Sequence, residues 1–262
     1  IDRKGEQVKI ERKECNKSNG NDPVNIGRIP IMLGSKHCYL SGRSNKTKSE
    51  MGECFYDMGG YFIINGSEKV IVSQEQVCNN RPYVFKQGKS SSKYSHVAEI
   101  KSVDEEKFTP ARTVSVKLTA KATGISGRTI KVGIPFVKQD IPLFVVFRAL
   151  NILTDKDIIT KIVGNIKDVA MQDLMGILKA SLEEASPIMT NELALEYISK
   201  HVTMITTSKM MQDVTETRKL KIRYVKEILT NSLFPHIGTE FNKKSQYLGY
   251  MTYKLLMCFL GK

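Results

Sequence analysis

DMGGYFIINGSEKVIVSQE, residues 57–75, decides how the chain is read. Asn65-Gly66 is a strong two-residue turn signal, because both residues tolerate positive φ. It joins two continuous apolar runs, Tyr61–Ile64 and Val70–Val72. Such runs predict a hairpin buried on both faces rather than one. Period-2 geometry in the second strand would put Lys69, Ile71 and Ser73 on one face and Val70, Val72 and Gln74 on the other. A hairpin made only for packing has no need of the Glu68-Lys69 pair or of Ser73-Gln74. From residue chemistry alone, Glu68 and Lys69 read first as charges that solubilise a turn.

Working outward, the 262 residues include 41% apolar residues, enough for a globular core in one large domain or two ordinary ones. Residues 1–22 are polar and read as a flexible entry. VNIGRIPIMLGSKHCYL (24–40) carries Pro30 inside its apolar run, which predicts an edge strand or irregular segment. Residues 41–52 read as a polar loop. KQGKSSSKYS (86–95) reads as a second one and as a domain boundary, giving domains at 1–95 and 96–262.

From His96 to Lys138 the runs HVAEIKSV, TVSVKLTA and TIKVGIPFV are short, β-branched and alternating. Beyond Lys138 the texture is helical. Asp140 is positioned as an N-cap ahead of Pro142, and Thr154 opens a helix that Gly164 closes. Leu174, Leu178 and Leu182 recur at helical spacing, an ordinary core stripe. TNELALEYISKHV, VTETRKLKIRYVKEILTNSLF and SQYLGYMTYKLLMCFL predict three more helices, with the terminal YKLLMCFLGK reading as a helix cut short. Strands followed by helices make an α+β architecture. The expected form is a mixed β and irregular first portion, then a small antiparallel sheet with several packed helices.

Enzyme signatures are missing. There is no glycine-rich phosphate loop ending in Lys-Ser/Thr, no G-x-S-x-G elbow, no H-E-x-x-H pair and no Asp-x-Asp cluster for two magnesium ions. Asp155 and Asp157 suit a helix N-terminus, where carboxylates favour the dipole. The five cysteines form no C-x-x-C pair, which argues against structural zinc and for a reducing compartment. The histidines are scattered and read as structural. No catalytic residue and no metal ligand is therefore assigned, and no membrane span is expected.

Net charge is +13, running from −3 over residues 151–200 to +6 over 201–262. A strongly basic balance points to a polyanionic partner or to a lysine-rich solvated surface. In the basic helix, Ile222, Val225 and Leu229 form a packing face, and Lys219, Arg223 and Lys226 form a neighbouring stripe. That stripe is a candidate DNA or protein-factor contact.

GGYFIINGSEKVIVSQE resembles the signature of the second-largest subunit of multisubunit DNA-dependent RNA polymerases, counterpart of the bacterial β subunit. IGRIPIMLGSKHCYL, SHVAEIKS, GRTIKVGIPFVKQDIPLFVVFRALNI and YLGYMTYKLLMCF resemble that family in the same order, covering residues 26–262. KQDIPLFVVFRAL is similar to the eukaryotic nuclear type, nearest the messenger-RNA-synthesising enzyme, or to a large DNA virus relative. The resemblance implies that residues to about 95 belong to the protrusion and the remainder to the lobe, two domains along one wall of the DNA cleft. It implies that the hairpin lies near the RNA–DNA hybrid. Lys69 then matches the basic residue after the family's Glu, and Gln74 the polar residue after its Ser73. Gly34 and Gln76 stand where the family carries basic residues. Implied partners are the largest subunit and other polymerase subunits, the DNA template, the RNA–DNA hybrid and general initiation factors. Magnesium would be held elsewhere in the enzyme, and the location would be the nucleus, or cytoplasm or virion for a viral enzyme. A stand-alone basic nucleic-acid-binding module and a protein-interaction scaffold with little DNA contact are the competing readings.

Overall fold

The computed structural model describes residues 25–88, 93–107, 109–122, 127–164, 172–203 and 214–261. The polar entry, residues 1–22, lies outside them. The chain divides into two compact units, Ile1–Gln76 and Val77–Lys262. Helices and two antiparallel sheets make it α+β, as the sequence predicts.

In the first unit, residues 25–30 are irregular, as Pro30 suggests. The 41–52 loop contains one short helix, α1 (Asn45–Glu50), whose N-cap Ser44 accepts a hydrogen bond from the Thr47 amide. Strands β1 (Phe62–Ile64) and β2 (Ser67–Lys69) form the hairpin. Asn65 and Gly66 both take positive φ, 51° and 77°, as the turn requires.

The second strand departs from expectation. It ends at Lys69, and Val70–Val72 continue without ladder pairing, 67%, 77% and 75% exposed. The expectation of a hairpin buried on both faces is therefore wrong for this chain. The apolar run promised burial, but no described element of the first unit covers it.

The second unit is built on a five-stranded antiparallel sheet in sequential order. Its strands are β3 (Tyr83–Lys86), β4 (Tyr94–Ser102), β5 (Arg112–Thr119), β6 (Ile130–Gly133) and β7 (Ile141–Pro142). Because β3 pairs with β4, residues 86–95 connect two neighbouring strands, and the compact division falls after Gln76 rather than near 95. Alternation does the packing in β5, where Val114, Val116 and Leu118 point into the core.

Seven α-helices lie among the described residues, six of them in this unit. α2 (Leu143–Ala149) is buried at every residue. α3 (Asp155–Val163) is capped by Thr154 and closed by Gly164 at φ 80°, as read from the sequence. α4 (Gln172–Ala185) buries Leu174 and Leu178, with Leu182 packed at the edge of the core. α5 (Asn191–His201) and α6 (Val214–Glu227) follow, and α6 runs into a π-helical turn, Ile228–Ser232.

α7 (Phe241–Phe259) packs on the sheet and against α3. A Cβ on Gly249 would lie 2.3 Å from the Lys161 carbonyl oxygen, so glycine sets how closely α3 and α7 approach. Leu260 stands at its C-cap, and Gly261 follows at φ 74°.

Asp140 is not an N-cap. Pairing of Ile141–Pro142 with β6 holds that segment extended, so α2 begins at Leu143 with Pro142 as its cap. The Asp140 carboxylate accepts instead from Lys117 Nζ (2.8 Å) and the Tyr94 hydroxyl (2.5 Å).

Candidate nucleic-acid interface

The hairpin is anchored at its base by backbone geometry. The Leu33 amide donates to the Tyr61 carbonyl (2.9 Å), and the Gly60 amide donates to the Leu33 carbonyl (2.8 Å). A Cβ on Gly59 would stand 2.5 Å from the Leu33 oxygen, so this approach demands glycine. Asp57 completes the corner, accepting from the Tyr61 hydroxyl (2.6 Å) and the Gly59 amide (2.8 Å). Those two bonds hold the Asp57 carboxyl below its ordinary pKa, and the same contact pushes Tyr61 up to about 12.

Lys69 stands opposite Phe62 in the ladder, so its backbone position is fixed while its side chain is exposed. Among the described residues it makes no ion pair. Ser73 and Gln74 are exposed but lie beyond the ladder. The structure therefore does not put Ser73 on a strand face shared with Lys69. The reason is the early end of β2.

The second candidate, on α6, has the expected division of faces. Val225 and Leu229 are buried and Ile222 packs beside them, while Lys219, Arg223 and Lys226 are exposed together. Arg223 Nε lies 3.6 Å from Glu227, an exposed pair that holds it weakly.

Sequence reasoning missed two buried cations. Arg148 is fully buried and donates to the carbonyls of Ala185 (2.7 Å) and Ile188 (2.6 Å) and to Asp155 (2.6 Å). Lys244 is fully buried and donates to the carbonyls of Leu229 (2.8 Å) and Thr230 (2.5 Å) in the π-helical turn. Burial pulls its pKa down to about 8. Both are structural: they satisfy carbonyls that helix ends and the π turn leave open. His236 is also structural, sharing a hydrogen bond with Ser102 (2.7 Å), and burial lowers its pKa. Among the described residues no group of His, Cys, Asp and Glu is arranged to hold a metal ion. None of the described helices is long and apolar enough to cross a membrane.

Two units, the first leaving apolar surface uncovered and both presenting exposed cations, define a chain with surfaces to share. The family described as RNA polymerase beta subunit matches residues 5–241, and the chain belongs to that family. It is 40% identical over 245 residues to DNA-directed RNA polymerase II subunit 2 of Arabidopsis thaliana, covering 91% of this chain and 20% of that protein. To DNA-directed RNA polymerase subunit 2 of Acanthamoeba polyphaga mimivirus it is 34% identical over 248 residues, covering 90% and 19%. Subunit Rpo2N of Methanothermobacter thermautotrophicus is 30% identical over 251 residues, covering 92% of this chain and 47% of that protein. The chain thus spans about a fifth of the length of the polymerase II relative.

Proposed function

We propose that this chain works as part of the second-largest subunit of a DNA-directed RNA polymerase, lining the DNA cleft and supporting the RNA–DNA hybrid through its hairpin. In this reading the first unit, to Gln76, acts as part of the protrusion and the second, from Val77, as the lobe. The largest subunit and the other polymerase subunits are its partners, the reaction is nucleotidyl transfer, and the magnesium that serves it is held by residues outside this chain. The polymerase II relatives favour a nuclear enzyme, and the viral relative favours cytoplasm or virion if the source is a virus.

The observation that carries the reading is the exposed run Val70–Val72 directly after the ladder-held Lys69. A two-stranded hairpin is marginal alone in water, and three consecutive exposed β-branched residues call for a cover. In a polymerase that cover is the rest of the enzyme, and covering the run fixes Lys69 toward the nucleic acid. Hydrogen–deuterium exchange compares residues 70–72 in the assembled polymerase and in this chain alone. Slower exchange on assembly is expected. Equal exchange would contradict the reading.

The α6 stripe supports a second role, docking of DNA or of an acidic segment of an initiation factor. With Lys219, Arg223 and Lys226 all changed to Ala in the assembled enzyme, a phosphate contact lowers the slope of log affinity against log salt by roughly 0.9 per charge. A factor contact removes factor binding and leaves that slope alone. If neither changes, the stripe is a solvated face.

A further inference from the structure

The second unit carries a concavity of about 810 Å³ where the ends of β3, β5 and α7 meet β4, and its charge is of one sign. Lys86, Lys121 and Arg128 line it, and among the described residues no carboxylate does. The lining Tyr94 donates its hydroxyl to Asp140, a carboxylate that also accepts from Lys117.

One of its cations is held by a ring: the Arg128 guanidinium lies 5.2 Å over Phe259. His96 meets the same Phe259 ring edge-on at 5.4 Å. Burial, then the charges of Lys86 and Arg128, hold His96 below its ordinary pKa. Three like charges lining one concavity repel one another, and an anion seated among them relieves that repulsion.

The shape of the floor selects the anion. Gly88, Ala120 and Gly261 contribute no large side chain, so a polymer backbone can approach, and added Cβ atoms on both glycines would meet nothing within 4 Å. An acidic peptide would want an apolar anchor pocket, and one face of Phe259 is already taken by Arg128. The same occupation leaves less room for a stacked base. Guanidinium suits phosphate through paired N–H donors, and lysines serve as point charges beside it.

We propose that this concavity binds the sugar–phosphate backbone of a nucleic acid, with Arg128 forking onto a phosphate and Lys86 and Lys121 neutralising its neighbours. It extends the polymerase reading above to a contact separate in sequence from Lys69 and from the α6 stripe. It carries no base specificity, since backbone contacts read none.

The test uses the assembled polymerase with Lys86→Gln and Lys121→Gln together, both exposed positions whose change spares the Arg128–Phe259 contact. For duplex DNA the slope of log affinity against log salt falls by roughly 0.9 per lost contact, and for a single strand by roughly 0.7. Lys86→Arg with Lys121→Arg keeps the original slope. A photo-crosslinker in place of Gln87, which lines the same concavity, joins labelled nucleic acid. An unchanged slope in the Gln variant, or crosslinks to protein alone, would overturn the proposal. Either result leaves the polymerase reading standing if Lys69→Ala still shortens the elongation complex. A silent Lys69 with a changed slope here removes hybrid support and keeps this site.

Discussion

Lys244 offers a test of the packing that can be worked to a magnitude. Its ammonium is fully buried, its partners are the neutral carbonyls of Leu229 and Thr230, and among the described residues no carboxylate pairs with it. Burial lowers its pKa from 10.5 to about 8. Between those values the unfolded chain holds more protons on this lysine than the folded chain does, so stability rises with pH through the window. A shift of that size corresponds to at most about 3.4 kcal/mol, of which about 2.5 kcal/mol accrues between pH 7 and pH 10.

Raised tyrosines act the other way and set the upper limit of the window. Tyr247, pushed up to about 12 by burial and then by Tyr250, loses its proton first in the unfolded chain, so its contribution to stability declines above about pH 10. The clean quantity is therefore the difference between the wild-type chain and Lys244→Met, which keeps most of the apolar stem and removes the titration. Urea unfolding followed by circular dichroism at pH 7, 8, 9 and 10 measures it. The wild type should gain about 2.5 kcal/mol relative to the variant across that range. Parallel pH profiles would refute the assignment of a buried, carboxylate-free ammonium.

Three other perturbations follow from the same contacts. Arg148→Met strands the carbonyls of Ala185 and Ile188 and the Asp155 carboxylate, and should cost about 3–5 kcal/mol in equilibrium unfolding. Gly249→Ala forces a methyl against the Lys161 carbonyl at the α3–α7 contact and should cost about 1–3 kcal/mol, read as a lowered Tm. Asp140→Asn removes the Lys117 ion pair. In the wild type, burial raises the Asp140 pKa, but the bonds from Lys117 and Tyr94 outweigh it and hold the carboxyl below its ordinary value. Its contribution is therefore lost as pH falls through that lowered pKa, and the variant's unfolding should be less sensitive to acid.

Local signals carried much of the fold. Asn65-Gly66, Thr154 and Gly164 each need only their own backbone geometry to be recognised, and each stands where the sequence put it. The alternation of Val114, Val116 and Leu118 likewise needs only a sheet with one face covered. What failed depends on distant partners. Val70–Val72 look like a buried strand because apolar runs usually are, yet nothing described in their own unit covers them. Asp140 looks like a helix cap until Lys117, which is remote in sequence, claims its carboxylate.

Arg148 and Lys244 look like surface charges because their acceptors, the carbonyls of residues 185, 188, 229 and 230, cannot be paired with them from sequence. One signal was available: Arg148 interrupts the apolar run PLFVVFRAL, and a helix apolar all round has no solvent face for a cation. At the candidate interface, Lys69 could be chosen only through resemblance, since its chemistry is that of any turn lysine. The concavity around Arg128 was illegible because residues 86, 121 and 128 meet only after the sheet forms.

The central claim is that Lys69 faces nucleic acid in a working polymerase, and the lifetime of stalled elongation complexes tests it most directly. Complexes assembled with Lys69→Ala, Lys69→Arg and the wild-type residue are followed across a salt series. The Ala variant should dissociate faster, with the gap narrowing as salt screens the charge, and the Arg variant should match the wild type. Equal lifetimes for Ala and wild type at every salt concentration would contradict the claim.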